Sequence, residues 1–292
     1  MHTTRTTRRL APVALALLLA VGLAGCHADA STGAPAPHTP SASHTQHADT
    51  YRAPSATTVA ALPEAKYDAV IGGLLPSYEP DVPKAADHAW TINADAPLYG
   101  DDRKTPVARL AADNFLGEPT VVVPLRFDGD WALVMTPSRQ QLPSVAPGGA
   151  AAQTAGWVRR DLLRRGAALA DHLVIAVGAQ TVSIVAASGT TVHEFPAGVG
   201  AGSTPTPTGV VGYVQARYLD PAQDQTVHPI SLTTLHSSAA DEPYGGDDGG
   251  LIGVHYESVA RGAVSHGCVR LDADAIDAVD ALPLGTVVQV VA

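Results

Sequence analysis

The chain has 292 residues and sets 18 Lys and Arg against 28 Asp and Glu, a formal charge of −10. That balance argues against nucleic acid as a partner and against broad electrostatic adsorption to anionic lipid. The two cysteines, Cys26 and Cys268, allow one intramolecular disulfide at most.

Residues 1–25 carry Arg5, Arg8 and Arg9 and then an uncharged apolar run from Leu10 to Leu23. The run is shorter than the about 20 residues of a membrane span and reads as a secretory signal. It ends in Leu23-Ala24-Gly25-Cys26, which resembles the bacterial lipoprotein signal. The resemblance implies that Cys26 is acylated and becomes the first residue, so that the chain is extracytoplasmic and held to the membrane by lipid, facing the cell wall. A short anchor helix with an incidental cysteine is the alternative. Without residues 1–25 the chain keeps 15 Lys and Arg against 28 acids, formally −13. With Cys26 acylated, Cys268 has no disulfide partner and its free thiol needs another explanation.

Residues 26–63 are mostly Ala, Ser, Thr, Pro and His, a composition that predicts a flexible tether. His27, His38, His44 and His47 are irregularly spaced within it, as expected of incidental histidines rather than of a metal site. Residues 64–87, with Leu74, Leu75, Tyr78 and Pro80, form a lead-in that the pattern does not assign.

From residue 88 to 168, short apolar runs alternate with turn residues, as in Thr120-Val121-Val122-Val123-Pro124 and Trp131-Ala132-Leu133-Val134. The spacing predicts a small β-barrel. Gly129-Asp130-Trp131-Ala132-Leu133-Val134 and Gly156-Trp157-Val158 resemble the strands of bacterial SH3-like domains, which implies cell-wall binding. The plainer reading makes Trp131 and Trp157 core residues.

Residues 169–292 open with three strand-like runs, 173–177, 181–185 and 191–195, separated by tight turns: a meander. Then follow Ser203-Thr204-Pro205-Thr206-Pro207-Thr208-Gly209, Leu251-Ile252-Gly253-Val254-His255, Ser265-His266-Gly267-Cys268-Val269-Arg270-Leu271, and the terminal run Gly285 to Val290. One short helix is expected where Asp272 or Asp274 supplies a cap and Ile276, Val279 and Leu282 share a face ahead of Pro283.

A free thiol is only a few per cent ionised at neutral pH and needs a neighbouring base to become a nucleophile. Two histidines qualify. His266 lies two residues from Cys268 on an expected extended segment, and His255 ends an apolar strand. Arg270 either places a fixed positive charge near the thiol or pairs with Asp272 or Asp274. The same residue types also allow a zinc site of His255, His266 and Cys268 with an open fourth position.

Taken together, the five segments of 169–292 resemble the L,D-transpeptidase catalytic domain of YkuD type. The resemblance implies a mainly β chain, an SH3-like barrel followed by a transpeptidase-type β-sandwich with one short helix. His255 would then accept the Cys268 proton, and the Tyr256 carbonyl would hold the imidazole tautomer. The Gly267 and Cys268 amides would serve the oxyanion, Ser265 and His266 would line the site, and Arg270 would orient it. Cys268 would attack the carbonyl between an L-centre and a D-residue of a peptidoglycan tetrapeptide stem, and an amine of a neighbouring stem would resolve the thioester into a cross-link. Carbapenems would acylate the same thiol, and no cofactor or metal is implied. Water as acceptor would make the protein an L,D-carboxypeptidase, and a wall-binding lipoprotein with an inactive second unit is the non-catalytic alternative. The chain departs from the family in two places. Tyr256 follows the histidine where glycine is usual, and only residues 256–264 separate His255 from Ser265. The Gly- and Asp-rich stretch 241–250 is expected to be a flap or a hydrated loop. His228 and His236 receive no role.

Overall fold

The computed structural model describes residues 51–146, 149–240 and 250–292. The expected signal segment, the expected acylation site Cys26, the four tether histidines and nearly all of the 241–250 insert lie outside the described residues. Among those described, no helix is long and apolar enough to cross a membrane.

The described chain is mainly β, and residues 51–292 form one compact unit. Tyr51 to Pro63, expected to belong to the tether, is folded. Ser55 accepts the Thr58 amide and caps α1, Ala56–Ala60, whose Val59 is buried. The Tyr51 ring meets Trp131 and Tyr99 edge to face at 5.3 and 6.2 Å. A cap and an aromatic anchor outweigh the Ala/Thr composition that predicted disorder.

The first nine strands are β1 (Leu75–Ser77), β2 (His88–Ile92), β3 (Ala96–Tyr99), β4 (Pro106–Leu110), β5 (Val121–Val122), β6 (Pro124–Asp128), β7 (Trp131–Thr136), β8 (Gln153–Arg159) and β9 (Leu163–Ala168). One sheet runs β4-β3-β8-β7-β6 with β1 added to β8, and a second runs β5-β2-β9. Gly129 and Asp130 make the two-residue turn joining Asp128 to Trp131, with Gly129 at φ 55° in the first turn position. The core of this part holds Leu98, Leu110, Val122, Val134 and Val158. Trp157 is fully buried; its indole N–H meets no acceptor, and the Arg103 and Arg126 guanidinium groups lie 3.6 and 5.1 Å from its ring centre.

Ten further strands follow: β10 (Asp171–Ala176), β11 (Thr181–Ala186), β12 (Thr191–Pro196), β13 (Gly198–Gly200), β14 (Val210–Asp220), β15 (Gln225–His236), β16 (Leu251–Tyr256), β17 (Gly262–Ser265), β18 (Val269–Leu271) and β19 (Val287–Val291). They pair in the order β12-β11-β10-β19-β14-β15-β16-β18-β13-β17. The predicted meander is β10 to β12. β19 returns parallel to β10, and β18 lies parallel to β16. The predicted helix is α2, Ala273–Asp280, capped by Asp272, which accepts the Ala275 amide at 3.0 Å. Its Ile276 and Val279 pack with Leu173, Ile175, Val254 and Leu271 in a single core.

The two β regions are joined by a further cluster of Ala89, Val123, Met135, Val211, Tyr213 and Val287. Tyr213 donates to the Val121 carbonyl at 2.9 Å. Gly285 (φ 92°) sits against Ala89, where an added Cβ would fall 2.6 Å from the alanine methyl, so only glycine allows this approach. The 64–87 lead-in bridges both regions: Ala65 donates to the Arg109 carbonyl, and the Glu79 carbonyl accepts the Val211 amide. This path carries Tyr67, Asp68 and Val70 to the edge of the cleft described next.

Candidate active site

Cys268 and His255 line one cleft of about 820 Å³, within the range of roughly 300–1,000 Å³ common for small-ligand sites. Their positions follow from the β16–β18 ladder. Val254 pairs with Val269 and His255 with Arg270, so Gly253 stands beside Cys268 one step earlier. Neighbours across a ladder share a face, as do residues two apart along a strand. Gly253, His255, Cys268 and Arg270 therefore form a two-by-two array with the thiol and the imidazole on one diagonal. A Cβ at Gly253 would crowd the Ile230 side chain at 3.2 Å and reach ordinary contact with the sulfur at 3.8 Å.

The sulfur accepts the Gly253 amide at 3.4 Å, and the thiol donates to the Leu251 carbonyl at 3.7 Å. Burial pushes the Cys268 thiol above its ordinary pKa, opposed by the Gly253 amide and the Arg270 charge. Burial likewise pulls the His255 pKa down, the Tyr256 carbonyl and Glu257 oppose that shift, and Arg270 adds to it. The resting pair is thus a thiol and a neutral imidazole. Nδ1 of His255 lies 3.1 Å from the Tyr256 carbonyl, which only accepts, so Nδ1 carries the proton and Nε2 keeps its lone pair. A Glu257 carboxylate oxygen is 4.0 Å from Nδ1. The pattern offered no reason to single out Glu257, although an acid two residues after a candidate base is a usable signal.

Ser265 does not line the cleft. Its hydroxyl is buried, accepts the Gly267 amide at 3.2 Å and donates to the Cys268 carbonyl at 2.5 Å, because a buried hydroxyl must find partners. The Gly267 amide is therefore engaged within its own loop. His266 is exposed and lies off the cleft. The expectation that it shares a side with the thiol fails at Gly267, whose φ of 112° turns the chain and breaks the strand alternation. His255, His266 and Cys268 accordingly do not converge, and among the described residues no three His, Cys, Asp or Glu side chains form a metal-holding group. Arg270 makes no ion pair with Asp272 or Asp274; its Nε is buried without a partner and its charge acts on both Cys268 and His255.

Sequence reasoning missed the support beneath Cys268. The Thr206 hydroxyl donates to the Gly267 carbonyl at 2.7 Å and accepts the Gly200 amide at 2.9 Å. Thr204 donates to the Ser265 carbonyl at 3.1 Å. Both threonines are buried. It also missed His236 and Arg139, which line the same cleft. His236 Nε2 donates to the Pro137 carbonyl at 2.8 Å, and burial with the nearby Arg139 charge lowers its pKa to about 3.

Comparison with known proteins accords with this geometry. Residues 170–290 match the YkuD family, described as the L,D-transpeptidase catalytic domain. No curated protein matches the chain. Among solved structures, the L,D-transpeptidase of Stackebrandtia nassauensis is 16% identical over 42% of this chain and 56% of its own, with a TM-score of 0.31. The chain thus spans little more than half of that protein. The L,D-transpeptidase of Mycobacterium smegmatis is 18% identical over 59% of this chain and 91% of its own, with a TM-score of 0.32. One from Mycobacterium tuberculosis H37Rv is 16% identical over 54% and 90%, with a TM-score of 0.33.

Proposed function

We propose that this chain is a peptidoglycan L,D-transpeptidase, exported and held at the outer face of the membrane by lipid on Cys26. The observation that carries the reading is the diagonal of Cys268 and His255 on paired parallel strands, open to one cleft.

In this reading the donor stem enters the cleft with the carbonyl between its L-centre and terminal D-residue over the sulfur. His255 Nε2 takes the thiol proton as the C–S bond forms, and the imidazolium shares its charge with the Tyr256 carbonyl and Glu257. The same proton passes to the departing D-amino acid, leaving a thioester. Because the resting thiol is protonated, the attack and the proton transfer are coupled, and Arg270 stabilises the charge that develops on sulfur. The oxyanion takes the Cys268 amide, joined by Gly267 once its amide leaves Ser265. An amine of a second stem then forms the cross-link, whereas water in its place would give a carboxypeptidase.

Residues 27–292, free of the signal, should gain the mass of one carbapenem, and Cys268→Ala should gain none. With peptidoglycan stems the wild type should form muropeptide dimers. Dimers still made by Cys268→Ala, or a wild type inert to both reagents, would remove the acyl-transfer reading.

A further inference from the structure

The cleft has two walls of different origin. Cys268, β15 and β16 make one, and the other is supplied by Tyr67, Asp68, Val70 and Phe115, more than a hundred residues earlier in the chain. The Tyr67 and Phe115 rings meet edge to face at 4.9 Å, and Phe115 meets Tyr218 of β14 at 5.8 Å, so three rings run continuously along the cleft. Tyr67 is 37% exposed and Phe115 40%. A contiguous run of partly open rings, rimmed by polar residues, is the kind of apolar surface that lines ligand grooves.

The charge at this wall is negative. Asp68 and Asp220 both line the cleft. Asp68 shares an exposed ion pair with Lys66 at 3.3 Å, a type of contact worth about 0–1 kcal/mol and readily exchanged. Asp220 accepts the Ala222 amide at 3.1 Å and the Gln223 side chain at 2.7 Å. The cationic member of the lining, Arg139, is 5% exposed and directs Nη1 to the Ser237 carbonyl at 2.9 Å. Rings with carboxylates are the chemistry that holds an alkylammonium group.

We infer that the Tyr67–Phe115–Tyr218 wall, with Asp68 and Asp220, is the acceptor subsite, which receives the side-chain ammonium of a second stem peptide and delivers it to the thioester on Cys268. This inference rests on the acyl-transfer reading and deepens it: the region before the catalytic domain supplies half of the acceptor site. The bound ammonium loses one proton to solvent. Its nitrogen attacks the thioester carbonyl, the C–N bond forms, the C–S bond breaks with its electron pair returning to sulfur, and a second N–H proton passes through His255 to the thiolate.

Two measurements test it. In the first, Cys268→Ala protein is titrated by NMR with Nα-acetyl-lysine amide and with its Nε-acetylated form. The free amine should bind, acetylation should abolish binding, and adding Tyr67→Ala and Phe115→Ala should weaken it about tenfold. In the second, the Tyr67→Ala/Phe115→Ala protein with Cys268 intact should yield about tenfold less amide per thioester formed than the wild type, the remainder being hydrolysed. Equal binding of the two probes, no binding, an effect of the rings on neither measurement, or ring-dependent binding of a stem-free disaccharide instead of the amine overturns the subsite. A wild type that forms no thioester at all overturns the acyl-transfer reading, and the titration then decides by itself whether the wall recognises an amine.

Discussion

Arg270 acts on both reactive groups at once: its charge favours the thiolate of Cys268 and disfavours the imidazolium of His255. Arg270→Gln should therefore raise the thiol pKa further and slow alkylation of Cys268 at neutral pH by roughly three- to tenfold. In the wild type, alkylation should keep rising with pH beyond the ordinary thiol range, because burial holds the proton on sulfur. A rate already at its plateau by pH 7 would instead indicate a preformed thiolate. His236 gives the complementary signal in stability. Its folded pKa of about 3 lies below the unfolded value, so the neutral form is native and its contribution, full above about 6.5, is lost as pH falls. The loss should reach roughly 2 kcal/mol by pH 5. Denaturant midpoints measured against pH should fall less steeply for His236→Gln than for wild type. Equal slopes would show that folding leaves the His236 pKa unchanged.

At the scale of elements, the Ser265–Cys268 loop is held from below by the segment between β13 and β14. Thr206→Val strands the Gly200 amide and the Gly267 carbonyl, both inside the protein, and should cost about 1–3 kcal/mol while slowing carbapenem acylation. Asp272→Ala, which removes only the α2 cap, should cost about 1 kcal/mol. Thermal unfolding beside acylation rates separates the two, since a Thr206→Val protein acylated at the wild-type rate would dismiss the buttress. The meander, α2 and its Asp272 cap were legible in the sequence because each is written in consecutive residues. Cys268 stood out in one short run, whereas the residues left His255 and His266 open and the resemblance chose His255, which the fold sets on the same cleft as Cys268. His266 was misread because strand alternation was extended across Gly267, whose backbone turns, and Ser265, expected at the site from the resemblance, instead turns its hydroxyl into the loop. Tyr67, Phe115, Arg139 and His236 were not legible, since their place in the cleft depends on long-range pairing that no local pattern encodes.

For the whole molecule, the contact between the two β regions is both apolar and polar. Gln153 donates to the Thr136 carbonyl and accepts from the Thr234 hydroxyl at 2.7 Å, all within the protein interior. Val211, Tyr213 and Val287 would face water without their partners. Residues 169–292 expressed alone should therefore aggregate, or unfold well below residues 51–292, by size-exclusion chromatography and calorimetry. A monomeric fragment with unchanged unfolding temperature would show that the catalytic region stands independently.

The register of β16 against β18 also bears on how such a chain can change over time. The thiol–imidazole diagonal is set by a hydrogen-bonded ladder, and residues 258–261, between Glu257 and β17, lie outside that ladder. Shortening or lengthening that connection leaves the reactive pair in place while remodelling the rim around it. Natural drift and laboratory libraries alike thus have a segment in which reach and selectivity can be varied without disturbing the chemistry.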